Sequence, residues 1–111
     1  MAATARTATN LSHTTAVTVA ASPGAAANAT DGDTFPNGGS TVLTLNNTGG
    51  SSYFVDIYPS ATLDDLTVTP RRFTVAAGTI QRVLLGAPAI YGTTTLVKAE
   101  NTAVKLYAEA L

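Results

Sequence analysis

Large apolar residues are distributed unevenly along the chain. Of the 30 Val, Leu, Ile, Met, Phe and Tyr residues, five precede position 41 and 25 lie in the remainder of the sequence. Residues 41–111 are therefore predicted to supply most of a single thin core. The Ala- and Thr-rich segment 1–13 shows no hydrophobic period, which predicts a flexible N-terminal arm ahead of one domain over 14–111.

Short runs of alternating and β-branched residues, separated by Gly, Pro and Asn, indicate strands rather than helices. The predicted strands lie at 14–20, 41–46, 53–58, 66–69, 73–75, 79–85, 94–99 and 103–108. The pairs 73–75 with 79–85 and 94–99 with 103–108 are predicted to be hairpins. About seven or eight short strands with closely spaced turns are typical of an all-β, antiparallel β-sandwich, Ig-like or jelly-roll-like. A small β-barrel is the alternative.

The sequence also predicts which face of one strand is buried and where a long loop lies. In the strand 53–58, Tyr53, Val55 and Ile57 alternate with Phe54, Asp56 and Tyr58, and the first set is predicted to face the core. The stretch 21–40 carries Pro-Gly, Asp-Gly and Asn-Gly-Gly turn signals and is predicted to be a long loop.

Composition narrows the function classes. The chain has 20 Ala, 20 Thr, no Cys and no Trp, with 12% charged residues and a net charge of −1. The lack of Cys excludes disulfide scaffolds and thiolate metal sites. The balanced charge gives no basic footprint for nucleic acid, and no apolar run reaches the ~18 residues of a membrane helix. Neither nucleic acid nor a membrane is therefore expected as a partner.

Candidate chemistry is sparse. His13 is the only histidine, so an acid–base or metal role would lack a partner of the same kind. Asp31-Gly32-Asp33 has the form of a turn and lacks the further carboxylates of a helix–loop–helix calcium site. Asp64 and Asp65 are adjacent, which points them to opposite faces of a strand. We therefore expect no enzyme activity, no catalytic residue, no metal site and no cofactor.

One stretch resembles a known family. The stretch from Asp64 to Gly92, with its closing strands at 93–109, resembles small head proteins of tailed bacteriophages, especially those of actinobacterial hosts. The matching elements are Asp65–Val68, Val75–Gly78, Val83–Leu85 and Gly86–Tyr91, and the resemblance covers about residues 41–111. It implies a capsid decoration (cement) protein that is made in the bacterial host cytoplasm and binds the outer surface of the shell.

The resemblance implies the major capsid protein as partner and allows a homotrimer on the capsid. The alternatives are another virion component, in the tail or the head–tail connector, or a host- or glycan-binding β-sandwich. Arginine suits protein interfaces, so the candidate partner contacts are Arg6, Asn10, Arg71, Arg72 and Tyr91. Deleting residues 1–12 is expected to leave folding intact and to weaken assembly.

Overall fold

The structure is a computed structural model that describes residues 3–11, 24–59, 62–63, 66–67 and 69–110. Within these ranges the chain forms short strands and one helical turn. The strands are β1 (Thr4–Ala5), β2 (Ala8–Asn10), β3 (Ala25–Ala26), β4 (Asp33–Pro36), β5 (Thr41–Asn47), β6 (Tyr53–Tyr58), β7 (Thr62–Leu63), β8 (Leu66–Thr67), β9 (Arg71–Val75), β10 (Ile80–Leu84), β11 (Thr94–Ala99) and β12 (Val104–Ala110). Helix α1 spans Pro88–Tyr91. The predicted all-β class is confirmed.

The strands form two larger sheets. Sheet A has the order β1-β4-β11-β6-β9, and sheet B has the order β10-β5-β12-β2, with β3 beside β2 on the same edge of β12. Strands β7 and β8 pair with each other. Both larger sheets are mixed rather than purely antiparallel, because β1 joins β4 and β2 joins β12 in parallel. The arrangement is consistent with a β-sandwich.

Among the described residues, one cluster of buried side chains joins the two sheets. Val55 and Ile57 of sheet A and Leu43 and Leu45 of sheet B are all fully buried, and Tyr53 packs against them. The predicted inward face of strand 53–58 is therefore confirmed. Phe35, from the predicted loop 21–40, is also buried in this core, so the upstream region contributes more packing than the sequence indicated.

Neither predicted hairpin forms. Strand β9 lies in sheet A and its successor β10 lies in sheet B, and β11 and β12 divide between the sheets in the same way. Each tight connection is an arch that carries the chain from one sheet to the other, as does the connection from β5 to β6. An arch and a hairpin join the same kinds of strand through the same kinds of turn residue, so local sequence does not separate them.

Asn47 ties two of these arches together. Its side-chain amide donates to the carbonyls of Ser51 (2.8 Å) and Val75 (2.9 Å), and its Oδ1 accepts from the Gly49 N–H (2.9 Å). Its backbone accepts from Gly78 and donates to Thr79. Asn47 is fully buried, so it joins the β5–β6 connection to the β9–β10 connection from the interior.

The N-terminal region departs most from the sequence-based expectation. Strand β1 extends sheet A and β2 extends sheet B, so a flexible arm is not confirmed for residues 3–11. The predicted loop 21–40 contains β3 and β4. The predicted strand 14–20, and His13 beside it, lie outside the described residues.

Candidate functional site

The five predicted partner contacts do not form one surface. Arg6 lies between β1 and β2 at one lateral side of the two sheets, and Asn10 is exposed at the end of β2. Arg71 and Arg72 begin β9, at the opposite edge of sheet A. Of the five, the structure brings together Arg71 and Tyr91, with the guanidinium carbon of Arg71 4.6 Å from the ring centre.

Arg71 connects the open edges of the two sheets. It pairs with the core residue Ile57, and its Nη2 crosses to sheet B to donate to the carbonyls of Leu84 (2.9 Å) and Leu85 (2.6 Å). Its position over Tyr91 depends on Gly86, because a Cβ there would lie 2.5 Å from Tyr91 Cδ2. Arg71 therefore acts within the fold, on the side where β9 and β10 are the edge strands.

We expect Arg71→Met to lower the free energy of unfolding by about 1–2 kcal/mol, because two charge-assisted hydrogen bonds between the sheets are lost. Urea denaturation measures the change. Arg71→Lys is the matched control, since it keeps the charge but replaces the guanidinium, whose Nη2 donates to both carbonyls, with an ammonium group. A loss below about 0.5 kcal/mol for Arg71→Met would show that this bridge contributes nothing to stability.

Arg6 forms the corresponding bridge on the other side. Its Nε donates to Oδ1 of Asp33 in sheet A (2.8 Å), and its Nη2 donates to the carbonyl of Ala26 in sheet B (2.9 Å). The Asp33 side chain is fully buried, and its second oxygen accepts from the Asn28 N–H (2.9 Å). Asp33, which the sequence presented as a turn residue, is thus the buried anchor of the N-terminal segment.

Arg72 points to the outer face of sheet A. It forms a bidentate pair with Asp56, which lies directly opposite on β6, through bonds of 2.8 Å and 2.9 Å. Its guanidinium carbon lies 3.8 Å from the ring centre of Phe54. The hydrogen bond to Asp56 raises the pKa of Arg72 above its ordinary value. The two bonds hold the Asp56 side chain in place, and Asp56 is only 4% exposed.

A shallow depression of about 260 Å³ surrounds this pair. Phe54 and Tyr58 flank it, and Lys98 and Glu100 of the neighbouring strand region add one charge of each sign. Aromatic rings can stack on a ring such as that of a sugar, and charged groups beside them can hydrogen-bond to its hydroxyl groups. The depression therefore combines aromatic rings with charges of both signs.

A second candidate surface lies on β10. Within the ranges that the structure describes, this strand pairs with β5 on one side and with no strand on the other. Ile80 and Leu84 are 51% and 57% exposed. Exposed Arg82 lies between them on the same face of the strand. Large exposed apolar side chains on an edge strand are features of a protein-binding surface.

Of the other sequence candidates, Asp31 and Asp33 lie within the described ranges. Asp33 forms an ion pair with Arg6. Asp64 and Asp65 lie outside the described ranges. Among the described residues, no group of three or more His, Cys, Asp or Glu side chains could hold a metal ion. No helix in those residues is long and apolar enough to cross a membrane.

Comparison with protein-family models, with curated proteins and with solved structures found no match.

Sequence reasoning missed Asp33, Asp56 and the β10 surface. Asp56 carried a usable signal, since a carboxylate between Val55 and Ile57 in an apolar strand requires a cationic partner if buried. The exposed alternation of Ile80, Arg82 and Leu84 could also have been read from the sequence. The pairing of Asp33 with Arg6 could not, because it depends on where β1 joins sheet A.

Proposed function

We propose that this protein is a virion structural protein that binds the outer surface of a bacteriophage capsid and stabilises the shell. The observation that carries the proposal is the resemblance of residues 41–111 to small head proteins of tailed phages. Two features of the structure support the proposal. The two sheets are joined by side-chain hydrogen bonds, and the edge strand β10 exposes the apolar side chains of Ile80 and Leu84. The major capsid protein is the proposed partner, and a homotrimer is the proposed form on the capsid.

The detailed architecture is part of the proposal. Short connections, among them β4–β5, β5–β6, β9–β10 and β11–β12, pass from one sheet to the other, as they do in sandwiches of the Ig-like or jelly-roll-like kind. Such a body resists deformation because its sheets are joined at both lateral sides, by Arg6 on one and Arg71 on the other. Many symmetric copies of a rigid binder can stabilise a shell even when each contact is weak.

Copy number in purified particles tests this proposal. We expect on the order of hundreds of copies per particle, because a decoration protein occupies repeated positions over the capsid. Quantitative mass spectrometry of particles from the phage that encodes the chain measures it. About six or twelve copies would indicate a ring-shaped connector or tail component instead, and absence from the particles would overturn a virion role.

A host- or glycan-binding role is the second candidate. The depression with Phe54, Tyr58 and the Asp56–Arg72 pair favours it. A glycan array with the whole protein discriminates between the two roles. Binding that is lost in Arg72→Ala and retained in Arg82→Ala would support the glycan role. No binding at high protein concentration would discard it.

A further inference from the structure

The outer edge of β10 has a defined hydrogen-bonding pattern. The Asn47 N–H donates to the Thr79 carbonyl (3.0 Å), and the Leu85 N–H donates to the Thr41 carbonyl (3.1 Å). These bonds fix the alternation of the antiparallel ladder between β10 and β5. The backbone polar groups of Ile80, Arg82 and Leu84 therefore point away from β5.

Most of these outward groups are open. The Leu84 carbonyl accepts from Arg71, whereas the three N–H groups and the carbonyls of Ile80 and Arg82 meet no partner among the described residues. The same three side chains share one face of β10. Arg82 forms no ion pair with any residue in the described ranges. The β10 edge thus combines backbone groups that have no partner in the described ranges with a row of three side chains in which a cationic residue lies between two apolar ones.

The opposite edges of the sheets show how this fold accepts short strands. Strand β1 adds two residues to β4, and β2 and β3 add three and two residues to β12. No comparable strand adds to β10 in the described part of the chain. Among the described residues, the β10 end of sheet B is therefore the end at which a further strand could add.

We propose that the β10 edge binds an extended segment of a partner protein in which an acidic residue lies between two apolar residues, each two positions away. In such a segment the three side chains share one face and oppose Ile80, Arg82 and Leu84. Charge complementarity at Arg82 determines the preferred sequence. The inference rests on the proposed function in one respect, namely that the protein acts by binding another protein.

A second copy of the chain fits this edge less well. Antiparallel pairing of two β10 strands about a two-fold axis at the strand centre would place the two Arg82 side chains directly opposite each other. Like charges in that position destabilise a strand pair. A chemically different, acidic partner is therefore the occupant.

Two synthetic peptides test the inference with the whole protein. The probe is acetyl-Thr-Val-Thr-Glu-Thr-Val-Thr-amide, and the control replaces its Glu with Lys. We expect the probe to shift the amide resonances of Ile80, Arg82 and Leu84 and to slow their hydrogen exchange. It should bind at least about fivefold more tightly than the control, and Arg82→Glu should reverse this preference.

Two proline variants separate edge binding from folding. Arg82→Pro removes an outward N–H and leaves the bonds to β5, so we expect a folded protein that binds the probe about tenfold more weakly. Val83→Pro removes a bond to β5 and should destabilise the fold. Equal affinity for both peptides, resonance shifts confined to other strands, or self-association through β10 in sedimentation would overturn the inference.

The peptide assay and the particle copy number give independent outcomes. Selective binding of the probe by a chain that is absent from particles would leave this inference standing and overturn the capsid role. Abundant copies on particles, together with no peptide selectivity, would support the capsid role and overturn the proposed use of β10.

Discussion

Removing residues 1–11 should lower the free energy of unfolding by at least about 3 kcal/mol, because it leaves the buried carboxylate of Asp33 without its cationic partner. The Asp33 side chain is fully buried, and Arg6 is the cation bound to it. The truncation also removes β1 and β2, which exposes one edge of β4 and part of one edge of β12. Urea denaturation of the full and truncated chains measures the difference.

A single substitution isolates the contribution of the ion pair. Arg6→Met keeps β1 and β2 and removes the charge, so it should account for most of the loss caused by the truncation. Arg82→Met is the matched control, because Arg82 is exposed and unpaired within the described ranges; it should change stability by less than about 0.5 kcal/mol. If the truncated chain were as stable as the wild type, the ion pair and the added strands would contribute nothing to stability, and the flexible arm predicted from composition would be supported.

This prediction differs from the expectation drawn from the sequence alone, that residues 1–12 are dispensable for folding. The segment has few large apolar residues, and such segments commonly remain disordered. It is held instead by backbone pairing and by one guanidinium that reaches a buried carboxylate. Neither kind of contact leaves a hydrophobic period in the sequence.

The strands were largely predictable, and their partners were not. The predicted strands 41–46, 53–58, 94–99 and 103–108 lie within one or two residues of β5, β6, β11 and β12. Alternation identifies a half-buried strand whichever strand lies beside it. The sheet that receives each strand depends on the direction of the arch, which is set by long-range packing around buried groups such as Asn47.

The candidate site shows the same division between local and long-range information. The sequence identified Arg71 and Arg72 as the densest positive charge, yet adjacent residues of a strand face opposite sides. Arg71 therefore joins the two sheets, and Arg72 pairs with Asp56 on the outer face of sheet A. Their intramolecular partners became visible only with the register of β9 against β6.

Asn47→Ala should lower the free energy of unfolding by about 3 kcal/mol, because it removes three hydrogen bonds from a fully buried position. The carbonyl of Val75 loses its amide donor in a buried environment, where no solvent replaces it. Ser51 is exposed, so water can satisfy its carbonyl and reduce that part of the loss. The change is measured by urea denaturation with an unchanged m-value as the sign of two-state behaviour.

Two further variants identify which function of the Asn47 side chain matters. Thr48→Ala, at the exposed neighbouring position, removes one hydroxyl bond to Ala103 and should cost less than about 1 kcal/mol. Asn47→Asp keeps the acceptor for Gly49 but places a carboxylate against the carbonyls of Ser51 and Val75, so it should destabilise at least as much as alanine. Equal effects of Asn47→Ala and Thr48→Ala would mean that losing the buried amide costs no more stability than losing an exposed hydroxyl. In that case the backbone hydrogen bonds alone would hold the two arches together.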